Sequence, residues 1–430
     1  MRWVRLHALL ERRHVRALFK AGVIVIATVL ITWYRRPDQF DHPYVWVEDC
    51  AINIKALFEQ GRWFVFTPYQ SYIGYYAFPS RLLFAAAATL SFRWLPELGA
   101  ALAVAFQAFT LLAIAFSPTQ LRYRTLCALA ILLLPIASEV FGVSLYAGWW
   151  GSLLALLPLF WRDGPPQRRM VRLVLLLVGG FSSPLIIGLV PLYALRFFWK
   201  RERESLIDLL VAAGIAAAQV ISLSAETKAF MPALQIAWVE VPLAIQSFFG
   251  FFLYWRTDQG NAVVLIAGLA LVVFIAVSIL STRRRWGLPI VLLVACLGVE
   301  VAMTYIRQGS LASIHPILWG PRYFFFSFAT LTWLLLQLAA IGPGWIRNAS
   351  ALFLIVMVLN FLRIPSSHHD AVDWRAHVSR CLVTEGYALP FHYDGRIASM
   401  GITNTSVAEC RYLVGHSLFD NSLPPANPHP

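Results

Sequence analysis

Apolar runs long enough to cross a bilayer recur along the chain, separated by short polar stretches rich in arginine. The first, AGVIVIATVLITWY, covers Ala21 to Tyr34. A crossing takes about 20 residues, so Ala17 to Phe19 extend this run while Lys20 snorkels toward the interface. Further runs predict spans near 99–117, 125–140, 145–161, 205–223, 262–281, 287–305, 322–341 and 349–363. The stretch LVLLLVGGFSSPLIIGLVPLYALRFF carries Gly179, Gly180, Ser182, Ser183 and Pro184 at its middle, and predicts two short helices broken at GGFSSP. Counting that hairpin as two gives an all-α, polytopic transmembrane helical bundle of about 11 spans.

Two apolar stretches fit less well. YYAFPSRLLFAAAATLSFRWL is interrupted by Pro79, Arg81 and Arg93, and is expected to lie flat in the outer interface, in a first outer loop of 35–98. PLAIQSFFGFFLYW, in a loop of 224–261, is expected to do the same. Residues 364–430 contain no spanning run but six His and several Asp and Asn, which sets them apart from 1–363 as a small appendage.

Composition agrees with this picture: 59% of the residues are hydrophobic and 13% charged, far from a soluble domain. The net charge of +13 would suit a nucleic-acid partner only if the cations shared a surface. Instead they punctuate the apolar runs, at Arg2 to Lys20, Arg122 and Arg124, Arg162 to Arg172, Arg196 to Arg203, and Arg283 to Arg285. That is the positive-inside pattern, and it argues against nucleic acid. It predicts an uncleaved signal anchor with a cytoplasmic N-terminus and an extracytoplasmic C-terminus. Arg35 and Arg36 run against the rule. An extracytoplasmic tail permits a disulfide between Cys381 and Cys410, whereas Cys127 and Cys296 fall in apolar spans as small core residues. No CxxC or zinc-type His/Cys spacing occurs.

This topology collects polar residues on the outer face: Glu48 and Asp49 in HPYVWVEDC, Glu139, Trp149 and Trp150, and Arg307, His315, Arg322 and Tyr323 in YIRQGSLASIHPILWGPRYFFF. A carboxylate there can accept a proton from a hydroxyl or hold a divalent cation, and an arginine fork matches phosphate oxygens. The same residues have plainer readings. The acidic pair suits a solvated loop edge, Arg322 and Tyr323 suit interface anchors, the tryptophans an aromatic belt, His315 a loop, and Glu139 a structural partner for an arginine.

With these motifs in place, the layout resembles the GT-C superfamily of membrane glycosyltransferases, which move a sugar from a polyprenyl-phosphate carrier on the extracytoplasmic side. VEDC resembles the acidic residue or pair of that superfamily's first outer loop, and GPRYFFF its arginine-tyrosine entrance to a late span. The resemblance implies a bacterial plasma-membrane enzyme using a polyprenyl-phosphate-linked sugar donor and a glycan, lipid or protein acceptor. Asp49, in preference to Glu48, would be general base; Arg322, with Arg307 and Tyr323, would stabilise the leaving phosphate; Glu139, His315 and Trp150 complete the candidate substrate set. Hard carboxylate oxygens at Asp49 and Glu48 would suit Mg2+ or Mn2+. The order Glu-Asp departs from the Asp-Asp or Asp-Glu of some branches, and no large soluble C-terminal domain follows the spans. A transporter or lipid flippase, to which a broken hairpin such as GGFSSP is suited, and a non-catalytic scaffold are the rival classes.

Overall fold

The structure is a computed structural model and describes residues 2–69, 74–162, 164, 166–226, 238, 240–254, 262–282, 287–393, 396–398 and 404–420. Seven helical segments among these residues are long and apolar enough to cross a membrane: His14–Arg35, Leu95–Phe116, Arg203–Ser224, Ala262–Thr282, Leu288–Gln308, Pro321–Ile341 and Gly344–Phe361. The protein is therefore a helical bundle of membrane type.

Helix α1 (Arg2–Arg35) leads through the short α2 (Asp38–Asp41) into a π-turn, Asp49–Asn53, which continues as α3 (Ile54–Gln60). Helix α4 (Phe78–Leu90) has 13 residues, about 20 Å of helix, and is too short to span. Its Arg81 is buried and donates to the carbonyls of Phe64 and Thr67 at 2.7 and 2.8 Å. Helix α5 (Leu95–Phe116) then packs against α1.

The segment expected as a helix over 125–140 is α-helical only in α6 (Arg124–Leu132), with a single 3-10 turn at Ser138–Val140. Pro135 lacks an amide hydrogen and its ring clashes with the preceding turn, so the backbone leaves the helix at Leu133. The segment still traverses the bundle. The Arg122 amide donates to Gln337 on α15 (Phe325–Ile341), while Glu139 pairs with Arg322 near the other end of that helix, so 122–139 runs antiparallel to about 22 Å of helix. Non-helical backbone at that depth needs partners inside the protein, and Arg35 supplies them: its guanidinium donates to the carbonyls of Leu132, Leu134 and Ile136. Arg36 is also buried, pairing with Asp38 at 3.0 Å. The two cations that run against the charge rule are thus internal structural groups.

Helix α7 (Ala147–Leu156) returns across the bundle into α8 (Pro166–Gly180) and α9 (Leu185–Lys200), which form the hairpin broken at GGFSSP. Arg172 on α8 and Arg196 on α9 both pair with buried Asp208 on α10 (Arg203–Glu226), which holds the two basic ends of the hairpin together. A Cβ at Gly179 would stand 2.3 Å from the Ala155 amide nitrogen, so glycine permits the close approach of α8 to α7.

The described residues 242–254 of the apolar stretch expected at the interface pack into the main core. Helices α11 (Glu240–Ile245) and α12 (Phe251–Leu253) flank a π-turn, and Phe248, Phe251 and Phe252 belong to the principal buried cluster. Asn360 donates to the Phe251 carbonyl at 2.9 Å. Around them stand α13 (Ala262–Thr282), α14 (Leu288–Gln308), the central α15, which is the most buried of the seven, and α16 (Gly344–Phe361).

The described residues between 364 and 420 add α17 (Trp374–Cys381), four short strands and α18 (Val407–Gly415). Strand β1 (Tyr387–Ala388) pairs antiparallel with β4 (Asn404–Thr405), and β2 (Phe391–Tyr393) with β3 (Arg396–Ala398), so this part is not purely helical. Cys381 and Cys410 form a disulfide between α17 and α18. Trp374, Val378, Leu389, Phe391 and Leu413 share one buried cluster with Ile54, Leu57, Phe64, Phe84 and Phe92 of the first loop. Asp420 seals that contact, accepting from the amides of Phe92 and Arg93 at 2.8 and 3.1 Å and from the Ser91 hydroxyl.

Candidate functional site

The bundle encloses a cavity of about 280 Å³. Its wall comes from six places in the chain: Glu48, Tyr69 and Tyr75 from the first loop, Tyr146 and Trp149 at the start of α7, Ser182 and Ser183 in the hairpin turn, Leu223 on α10, Glu300, Thr304 and Arg307 on α14, and Arg322 and Tyr323 before α15.

The late entrance follows from its sequence. Gly320 has φ +73°, a left-handed conformation that glycine adopts without strain, and Pro321 opens the next turn with its φ already fixed. That turn presents Arg322, whose NH1 pairs with Glu139 Oε1; the Tyr146 hydroxyl donates to the same oxygen. A guanidinium carries five N–H donors, so this pairing leaves Arg322 able to bind a second group across the cavity. Trp149 stacks on Phe326 at 5.2 Å and stands edge-on to Tyr323 at 5.8 Å, forming an aromatic wall.

Glu48 and Asp49 meet different surroundings. Neighbouring residues on a helical turn point about 100° apart, and only Glu48 lines the cavity. Its Oε2 is buried without a hydrogen-bond partner among the described residues, and burial raises its pKa above the usual glutamate range, against the lowering effect of Arg322. Asp49 is 2% exposed and turned into the protein, where Asn53 Nδ2 donates to Oδ1 at 2.8 Å and the Ser144 hydroxyl to Oδ2 at 3.1 Å. Burial pushes its pKa up to about 7 despite those two donors. As a joint metal site the pair does not fit: Asp49 has committed both oxygens to neutral donors and does not share the cavity of Glu48.

Among the other expected residues, Arg307, Arg322 and Tyr323 line the cavity and Glu139 stands behind Arg322. Two do not reach it. Trp150 is buried between Phe141 and Phe325 with Nε1 donating to the Val140 carbonyl at 2.7 Å, and its neighbour Trp149 takes the cavity position. His315 is buried in its loop, with Nδ1 accepting from the amides of Ile317 and Leu318 at 3.1 and 3.3 Å. Sequence reasoning missed Tyr69, Tyr75, Tyr146 and Glu300. For Glu300 a signal existed, a lone acid inside the apolar VLLVACLGVEVAM. The tyrosines carried none, since tyrosine is common at membrane interfaces.

Comparison of the chain with protein-family models, with curated proteins and with solved structures returns no match.

Proposed function

We propose that this protein is a membrane glycosyltransferase of the GT-C type, which transfers a sugar from a polyprenyl phosphate to an acceptor hydroxyl on a glycan, lipid or protein at the outer face of a bacterial plasma membrane. The observation that supports the reading is the meeting of Glu48 with Arg307 and Arg322 in one aromatic-walled cavity. In this mechanism the acceptor oxygen attacks the anomeric carbon, the bond from that carbon to the phosphate oxygen breaks, and the acceptor proton passes to Glu48 as general base. A carboxylate whose pKa is raised by burial suits that task. Arg322 and Arg307 stabilise the charge that gathers on the departing phosphate, and Trp149 offers a face for the sugar ring. Asp49 becomes a structural acid that fixes the π-turn directly following Glu48.

The test is release of polyprenyl phosphate from synthetic polyprenyl-phosphate glucose, mannose and arabinose by the protein in liposomes, using membrane extracts as acceptor. Cleavage that depends on Glu48 supports the reading; no cleavage of any donor by well-folded protein overturns it. A carrier remains the second reading, favoured by Ser182 and Ser183 of the broken hairpin lining the cavity. A carrier would move the labelled lipid between leaflets with its sugar–phosphate bond intact.

A further inference from the structure

Helix α14 presents Glu300, Met303, Thr304 and Arg307 to the cavity. Seven residues make nearly two full turns, so Glu300 lies directly below Arg307, about 10.5 Å further along the axis from the helix's last turn. The cavity thus has guanidinium groups at its mouth and a carboxyl group at its floor. Glu300 is 3% exposed; Thr330 on α15 donates to Oε1 at 2.8 Å, and Oε2 is buried with no hydrogen-bond partner among the described residues. A buried carboxyl oxygen left without a donor inside a spanning helix is costly. A ligand that brings a donor to it removes that cost.

We propose that Glu300 is the recognition site for a hydrogen-bond-donating group on the sugar, a hydroxyl or an ammonium, at the end of the ligand remote from its phosphate. The inference rests on the transferase reading and deepens it. The phosphate lies at Arg307 and Arg322, the ring points inward past Thr304, and its far substituent reaches Glu300 Oε2. The floor then selects by the sugar, while the mouth binds any polyprenyl phosphate. Glu300 binds substrate and takes no part in proton transfer to or from the acceptor.

The experiment uses the full chain in lipid nanodiscs, titrated by native mass spectrometry with three probes: a sugar-free polyprenyl phosphate, its hexose ester and its amino-sugar ester. Glu300→Gln keeps the shape and replaces one carboxyl oxygen by an amide nitrogen, which cannot accept a hydrogen bond. It is expected to weaken one or both sugar lipids about 10- to 100-fold, as for loss of a hydrogen bond to a charged group, and to leave the sugar-free lipid within about twofold. Thr330→Val leaves the carboxyl in place and frees Oε1; it should lower the same preference by a smaller factor, and it carries the comparison if Glu300→Gln fails to fold. A greater loss with the amino-sugar lipid supports an ammonium and an equal loss supports a hydroxyl. Equal weakening of all three probes, or of none, overturns the assignment of Glu300 while leaving the transferase reading intact. Wild-type protein that binds none of the three overturns both.

Discussion

Arg322 and Glu139, 183 residues apart in the chain, form an ion pair behind the cavity wall, and Tyr146 hydrogen-bonds to the same carboxylate oxygen. The pair fixes one edge of the Arg322 fork. Arg322→Gln should lower kcat/KM for a polyprenyl-phosphate sugar about 100-fold, and Arg322→Lys, which keeps the charge and loses the fork, about 10-fold. Initial rates in liposomes check both, and equal rates for Lys and wild type would remove the fork from the mechanism.

The two carboxylates of the first loop should separate cleanly. Glu48→Gln is expected to slow transfer by 100-fold or more, roughly the value of a general base. Asp49→Asn should stay close to wild type at neutral pH, because the amide resembles the protonated acid and the Ser144 hydroxyl can reverse its hydrogen bond. Loss of turnover in the Asp49 variant alone would return the catalytic role to that residue.

Asp49 also predicts a pH dependence of stability. Its pKa stands at about 7 in the fold, against an ordinary 3.8, so the folded protein holds this proton more tightly than the unfolded chain. The resulting stabilisation is complete below about 3.8 and is lost as pH rises through about 7. Thermal unfolding of wild type and Asp49→Asn from acid to alkaline pH should show wild type losing more stability than the variant over that window. Parallel curves would place the titration elsewhere.

Arg35 holds the non-helical stretch after α6 through three carbonyls. Arg35→Met should cost about 3 kcal/mol, near 1 per lost hydrogen bond, since those carbonyls belong to fully buried residues. The midpoint of thermal inactivation in detergent reads it. An unchanged midpoint would show that the backbone finds other partners.

Removing the disulfide by Cys381→Ser with Cys410→Ser should cost about 3 kcal/mol. Because Cys381 and Cys410 sit in the cluster that contains Ile54 and Leu57, hydrogen exchange should rise in the first loop as well as in the tail, with α15 unaffected. A rise confined to the tail would mean the two parts stabilise themselves separately.

Much of the bundle was legible because the signal is redundant: in Ala262–Thr282 or Leu288–Gln308 almost every residue argues for lipid or core. The failures have specific causes. Apolarity does not say whether the neighbour is lipid or protein, so the sequence does not show that Phe248 and Phe251 pack into the core. Pro135 was visible, but the compensating donor, Arg35, lies about 100 residues away. The charge rule counts cations and is blind to burial, which is why Arg35 and Arg36 ran against it. Within the site, residue type pointed to Glu48, Arg307 and Arg322, which the cavity unites. It did not separate Glu48 from Asp49 or Trp149 from Trp150, because a neighbour's facing depends on the local turn, nor find Tyr69 and Tyr75.

The joint between Asp420 and Ser91 spans 329 residues. During synthesis the first loop emerges early, yet Phe84 and Phe92 gain their covering partners, Trp374 and Leu413, only after every spanning helix has been made. Until then this side of the protein exposes an apolar surface. Covering of that surface is thereby tied to completion of the chain, and a ribosome stalled within the last spans leaves behind an intermediate that presents a sticky face to chaperones and proteases.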